Sequence, residues 1–197
     1  MIVDIGQEDV YHEAGHTAMF CYYKIPIQYV SVRPDLVNGY AGMVVPAVNE
    51  PTEGRLSLED WMRCAAAGDA AKRHILRRGI PEATDLITAF TIAATDIAEN
   101  PNNPRHSDMR NFAYLGRQRD QEIRQTDASQ TGSEGWEPIW LEAEELIRGE
   151  LWSAVQAVAE RLWTMVVANQ GKDLTSLPDL NGEEACAIVL EAMGKDH

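Results

Sequence analysis

The first part of the chain shows a helical pattern of apolar positions followed by two strand-like patterns. Before Pro26, which ends the run, small and apolar side chains recur at helical spacing: Val10, Ala14, Thr17, Ala18, Cys21 and Tyr22. Residues 27–33 then alternate and are rich in β-branched residues, and residues 40–45 follow as a second such segment after a turn-rich stretch. These patterns predict one helix followed by a small hairpin or sheet edge.

The rest of the chain predicts helices joined by polar loops. In residues 57–78, Ser57 is a candidate N-cap, acidic residues occupy the first turn, and Gly79 follows a basic last turn. Further helices are predicted over residues 81–99, 107–124, 136–169 and 182–193, and a polar loop over residues 125–135. The expected fold class is therefore mainly α with a small β-sheet, an α+β protein.

Two of these helices carry a packing signal. The centre of the 57–78 helix, residues 65–71, consists mostly of small side chains that would let another helix approach closely. The 136–169 helix has an apolar stripe that predicts a core face, formed by Trp140, Ala143, Ile147, Leu151, Ala154, Val155, Val158 and Leu162.

Composition and charge exclude several classes of partner. The 197 residues are expected to form a single domain, 1–197, and hydrophobic and charged fractions of 45% and 24% are ordinary for globular proteins. The net charge of -14 argues against nucleic acid and against an anionic membrane surface as the main partner. No apolar run approaches 18 residues, and no basic segment followed by an apolar one begins the chain. We therefore expect a cytoplasmic protein without a membrane partner.

The cysteines predict neither a disulfide framework nor a cysteine metal site. Cys21, Cys64 and Cys186 are odd in number, far apart and without CxxC spacing. Each is expected to be a small buried apolar side chain.

The chemistry of the chain is concentrated in residues 12–16, His-Glu-Ala-Gly-His, which match the HExxH motif. On a helix, His12 and His16 are one turn apart, so both imidazoles can bind the same metal ion, with Glu13 beside it. Imidazole nitrogens suit Zn²⁺, and a catalytic zinc site keeps a position open for water. Glu13 is then the candidate general base and acid, and an acidic residue is the expected third ligand.

Several segments in the same order resemble the peptidase domain of FtsH-type ATP-dependent zinc proteases. The similar segments are HEAGH at residues 12–16, a strand ending in Pro34, the Gly39-Tyr40 pair and the small-residue helix at residues 68–71. The end of the chain is also similar, through Ala143, Leu146, Val155, Ala159, Leu162 and then Gly182-Glu183-Glu184. The resemblance implies a zincin-like HExxH helix within a helical bundle. Residues 1–124 would form the zinc-site part and residues 136–197 the C-terminal helical part.

The chain departs from that family in two respects. Lys72 stands where the family usually has glutamate, and no GxxxxGK[ST] phosphate loop is present. The resemblance is thus to a free-standing peptidase domain without the ATPase module. A homo-oligomer and a separate ATPase partner are compatible with it.

Two aspartates are candidates for the third zinc ligand. The family places an aspartate at a helix start after the small-residue helix, and Asp85 matches that register, which makes it the first choice. The alternative is Asp108, which follows a Pro- and Asn-rich loop with Ser107 as N-cap, and His106 would then be a possible additional ligand. His74 and His197 are interpreted as surface residues.

The resulting functional hypothesis is a zinc metalloendopeptidase. It would hydrolyse peptide bonds of flexible or unfolded polypeptides without ATP, and the edge strand near Gly39 to Val45 could hold an extended peptide. The alternative is a regulatory or binding protein with a zincin fold and weak or no catalytic activity, which acts through its C-terminal helices.

Overall fold

The computed structural model describes residues 5–35, 40–48, 57–100, 107–123, 132–171 and 173–194. These residues form seven α-helices and one three-stranded antiparallel sheet, which confirms the predicted mainly α architecture with a small sheet. Across the same ranges, no helix is both long and apolar enough to cross a membrane.

The elements follow one another along the chain in this order: α1 (Gln7–Tyr22), β1 (Ile27–Asp35), β2 (Tyr40–Pro46), α2 (Leu58–Ile75), α3 (Ala83–Glu99), α4 (Asp108–Ile123), α5 (Ser133–Arg148), α6 (Trp152–Ala168), a 3₁₀ turn (Leu174–Ser176), β3 (Leu180–Asn181) and α7 (Gly182–Ala192).

The sheet has the strand order β2-β1-β3, so β2 lies at an edge. β1 and β2 form the predicted hairpin, with Ile27 opposite Pro46 and Ser31 opposite Met43. β3 pairs with the other side of β1, where Val30 lies opposite Leu180. The sequence analysis missed β3 because two residues are too few to show an alternating pattern. This short strand brings the C-terminal part of the chain back to the N-terminal sheet.

α2 lies at the centre of the helical assembly, in contact with α1, α4 and α5. Its start agrees with the prediction, because the Ser57 hydroxyl accepts a hydrogen bond from the Asp60 N–H at 3.2 Å and the Asp60 carboxylate accepts one from the Ser57 N–H. The predicted close packing is also found. A methyl group at Gly15 of α1 would collide with the carbonyl oxygen of Ala67 in α2, so the two backbones are nearly in contact.

The sequence predicted a single helix over residues 136–169. This prediction was wrong, because the segment forms two helices. α5 ends at Arg148 and α6 begins at Trp152, with Gly149 as the C-cap of α5 and Leu151 fully buried at the corner. Glycine terminates helices readily because it can leave helical geometry at little cost. The predicted apolar stripe is buried throughout, so the pattern identified the core face but not the change of helix direction.

The interpretation of the cysteines was also wrong in part. Cys21 at the end of α1 and Cys186 in α7 form a disulfide across 165 residues of sequence. Cys64 is a free buried thiol, as expected. The pairing follows from the return of the chain through β3, which no spacing of three cysteines reveals. Disulfides are typical of oxidising compartments and unusual in the cytoplasm, the location expected from the sequence.

We predict that this disulfide stabilises the whole fold, because it closes a long loop and so restricts the unfolded chain. Replacing Cys21 and Cys186 together by alanine should lower the free energy of unfolding by roughly 2–4 kcal/mol. Denaturant titration with and without a reductant measures this effect. The reductant should destabilise the wild type and Cys64→Ala but not the double variant, and three free thiols in the unfolded wild type would contradict the prediction.

Candidate metal centre

α1 places the three motif residues at its contact with α2. His12 and His16 are one turn apart, and their rings meet edge to face with centroids 4.8 Å apart. Glu13 and His16 are almost fully buried, at 3% and 8% exposure, whereas the His12 side chain is 22% exposed. The motif therefore lies at the floor of a cleft, with His12 towards the opening.

Asp108, the first residue of α4, completes a compact group with the two histidines. Its Oδ2 atom lies 3.0 Å from His12 Nε2 and 3.1 Å from His16 Nε2, and the two Nε2 atoms are 3.3 Å apart. The three side chains come from residues up to 96 positions apart in sequence, on α1 and α4. Among the described residues, these three side chains are the cluster whose ligand atoms lie close enough together to hold a metal ion.

The first choice for the third ligand, Asp85, is not brought to the histidines. It is exposed near the start of α3 and lies outside the cleft, because α3 turns the neighbouring Leu86 and Phe90 into the core. The alternative, Asp108, occupies the expected place. The register with the family pattern favoured Asp85, but both aspartates lie in the first turn of a helix, and packing places only Asp108 beside the histidines. His106 and His197 lie outside the described residues, and His74 is partly buried with its ring edge-on to Trp152.

Long-range packing of α4 explains the position of Asp108. The Ser107 hydroxyl accepts a hydrogen bond from the Arg110 N–H at 3.2 Å and caps the helix, as predicted. One turn further, the buried Phe112 ring stacks on Phe90 at 4.8 Å and meets Trp140 edge-on at 5.0 Å. These aromatic contacts fix the rotation of α4, and with it the direction of Asp108 at its N-terminus.

α2 contacts His16 on the Nδ1 side of the ring, away from Asp108. The Nδ1–H of His16 donates to the carbonyl oxygen of Cys64 at 2.8 Å, which leaves the lone pair of Nε2 facing Asp108 and His12 in the neutral ring. Gly68 faces the same ring, and any side chain there would occupy the space of His16 Nε2. The sequence analysis treated this glycine only as a packing residue, and the carbonyl of Cys64 gave no sequence signal.

The electrostatics of the group favour positive charge between the histidines and Asp108. Burial opposes protonation of His16, but the charge and hydrogen bond of Asp108 outweigh it and raise the pKa of His16 to about 10. The same balance raises the pKa of His12. Burial likewise opposes ionisation of Asp108, yet His16 and His12 hold its pKa well below the usual range. Burial raises the pKa of Glu13 to about 7.

The geometry of the three ligand atoms fits a zinc ion. Zinc–ligand distances of about 2.0–2.1 Å at tetrahedral angles correspond to ligand–ligand separations of roughly 3.3 Å. The three separations in the triangle, 3.0, 3.1 and 3.3 Å, are close to that value. Two imidazoles and one carboxylate are a ligand set found in catalytic zinc sites, with a further position free for water.

An open cleft of about 830 Å³ runs over this group, and both charged and apolar side chains line it. Among the charged side chains, Lys72 forms an ion pair with Asp9 at 3.2 Å. Lys72 is thus engaged with α1, although it stands where the FtsH-type family usually has glutamate. The apolar part of the lining includes Phe20, Trp61, Val44 and Pro46.

The edge strand β2 forms one wall of the cleft beside Glu13. Gly42 has a positive φ of 99°, and a Cβ there would lie 2.7 Å from the Glu13 side chain. Glycine therefore both permits the backbone conformation and lets β2 approach the carboxylate. The sequence indicated this strand as a peptide-binding edge but did not indicate the role of Gly42.

Comparison with known proteins identifies no relative. No protein-family model matches the chain, and no curated protein matches it. The resemblance to FtsH-type peptidases therefore rests on the sequence segments themselves and stays a prediction.

We predict that Asp108, and not Asp85, is needed for metal binding. Asp108→Asn keeps the size of the side chain but removes the anionic oxygen near both imidazoles. Zinc affinity should fall by more than the roughly 10–100-fold that is typical when an outer-shell partner is lost. The matched variant Asp85→Asn should keep wild-type affinity. Zinc content of the purified proteins and competition with a chromophoric chelator measure both, and equal affinities would contradict the assignment.

A second prediction concerns Gly68. Gly68→Ala should stabilise an isolated α2 slightly, since alanine favours helix by about 0.5–1 kcal/mol, yet it should displace the His16 ring and abolish tight zinc binding. Circular dichroism of an α2 peptide measures the effect on the helix, and the zinc content of the full-length variant measures the effect on binding. Gly79→Ala is the control, because a Cβ at Gly79 meets no atom within 4 Å. Wild-type zinc content in Gly68→Ala would show that the ring can move without loss of the site.

Proposed function

We propose that this protein is a zinc-dependent metalloendopeptidase in which His12, His16 and Asp108 bind the metal and Glu13 transfers the proton. The observation that carries the proposal is the triangle of three ligand atoms, 3.0–3.3 Å apart, beside a buried glutamate in an open cleft. A zinc ion held there would lower the pKa of a water molecule to about 7 and polarise a peptide carbonyl.

The surroundings of Glu13 support its proposed role in the proton transfers of peptide hydrolysis. Its Oε2 atom is buried and accepts no hydrogen bond from the described residues, so it is available to a water molecule in the cleft. The carboxylate would take a proton from the attacking water and deliver it to the leaving amine. The β2 backbone at Gly42 approaches the Glu13 side chain so closely that a Cβ there would lie 2.7 Å from it.

The edge strand supports a polypeptide as the substrate. β2 pairs only with β1 within the described sheet and lines the cleft through Gly42, Met43 and Val44. An extended peptide could add to this edge by backbone hydrogen bonds, which do not depend on its side chains. Only an unfolded or flexible segment exposes its backbone in this way. The proposed substrates are therefore flexible or unfolded polypeptides.

The proposal predicts that Glu13→Gln binds zinc as the wild type does but loses hydrolysis of casein by at least about 100-fold, because the amide cannot act as a general base. His16→Ala should lose both zinc and activity. The control is Glu8→Gln, in the first turn of the same helix and outside the cleft, which should keep both.

Two results would overturn the proposal. A Glu13→Gln protein that hydrolyses casein at the wild-type rate would remove Glu13 from the mechanism. A wild-type protein that carries zinc but leaves casein and a mixed peptide library intact would instead favour a binding protein with this fold.

A further inference from the structure

The two histidines of the site differ in how their outer nitrogens are held. The Nδ1–H of His16 has a backbone acceptor, the carbonyl oxygen of Cys64 at 2.8 Å. The Nδ1 atom of His12 is buried, and no described residue makes a hydrogen bond to it. Histidines that bind metals almost always donate their second N–H to a carboxylate, a carbonyl or water, which fixes the ring and its tautomer. His12 therefore requires such an acceptor if it is to bind a metal ion.

Asp69 is the side chain in place to supply it. Its Oδ1 atom lies 3.8 Å from His12 Nδ1, on α2 and directly after Gly68, where the chain passes the His16 ring. This distance exceeds the 2.7–3.2 Å typical of a hydrogen bond. The Asp69 side chain is 41% exposed and lines the cleft. A hydrogen bond to His12 requires this side chain to rotate and bring Oδ1 closer to Nδ1.

The neighbouring cations on α2 are engaged elsewhere. Lys72, one turn after Asp69, binds Asp9 at 3.2 Å, and Arg73 lies 3.5 Å from the fully buried Glu144. Asp108 approaches His12 from the Nε2 side of the ring, opposite to Asp69. Asp69 is thus the carboxylate on the Nδ1 side of the His12 ring, and Asp108 is the carboxylate on the Nε2 side.

We propose that Asp69 is a positioning residue that accepts a hydrogen bond from His12 Nδ1–H when the metal is bound, a role that rests on the metal site proposed above. The bond would hold the proton on Nδ1, turn the lone pair of Nε2 towards Asp108 and His16, and make the imidazole a stronger ligand. The resemblance to FtsH-type peptidases does not imply this role, because Asp69 stands at the variable position of their Gly-x-Ala-Ala segment.

The test compares the zinc affinity of Asp69→Ala, Asp69→Asn and Asp85→Asn with that of the full wild-type chain, by competition with a chromophoric chelator. Asp69→Ala should bind zinc about 10–100-fold more weakly. Asp69→Asn should lose less, because its amide oxygen still accepts a hydrogen bond. Asp85→Asn, which removes the same charge from an exposed position outside the cleft, should keep wild-type affinity.

A spectroscopic measurement separates positioning from a general effect on the fold. In the zinc-loaded wild type, the Nδ1–H proton of His12 should give a slowly exchanging NMR signal that is lost in Asp69→Ala and retained in Asp69→Asn. The thermal stability of the metal-free Asp69→Ala protein should match that of the metal-free wild type.

The outcomes also separate this inference from the proposed function. If wild type and Asp69→Ala bind zinc equally, Asp69 has no such role while the metal site stands. If Asp69→Asn loses as much affinity as Asp69→Ala and the Nδ1–H signal is unchanged, the effect is one of charge, and positioning is excluded. If the wild type binds no zinc, the metal site is wrong and the role of Asp69 is wrong with it.

Discussion

The close contact between α1 and α2 is the constraint on which the rest of the structure depends. At Gly15 the α1 backbone approaches Ala67 so closely that no side chain fits between them, and at Gly68 the space is taken by the His16 ring. The HExxH residues are consequently placed in a helix interface and not on a solvated helix face. Charges in such a place interact more strongly than in water, because the surrounding medium has a low effective dielectric constant.

Burial also requires that each polar group has a partner, since an unpaired buried group is costly. His16 meets this requirement on both sides of its ring, through the Cys64 carbonyl and Asp108. Glu13 Oε2 and His12 Nδ1 do not meet it among the described residues. Both belong to side chains that line the cleft. Within the HExxH motif, the buried atoms without a hydrogen-bond partner are thus those that the proposed chemistry would use, for water and for Asp69.

The position of Asp108 shows how a remote part of the core serves the site. The buried aromatic cluster of Phe90, Phe112, Trp136 and Trp140 joins α3, α4 and α5. Asp120 of α4 also accepts a hydrogen bond from Trp136 Nε1 at 3.0 Å, which fixes the far end of the helix. None of these residues contributes a ligand atom to the triangle. Together they set the rotation of α4, and a helix that is held along its length presents its first residue in one direction only.

Local patterns in the sequence were sufficient to predict the HExxH helix, the β1–β2 hairpin, the Ser57 cap and the buried stripe of α5 and α6, because spacing along a helix or strand decides which side chains share a face. Tertiary structure alone decided which aspartate meets the histidines, since Asp85 and Asp108 each lie in the first turn of a helix and differ in how that helix packs. It also decided the Cys21–Cys186 pairing and the approach of Asp69 to His12. These contacts depend on where segments that are distant in sequence meet. The residues next to each partner do not specify that meeting point.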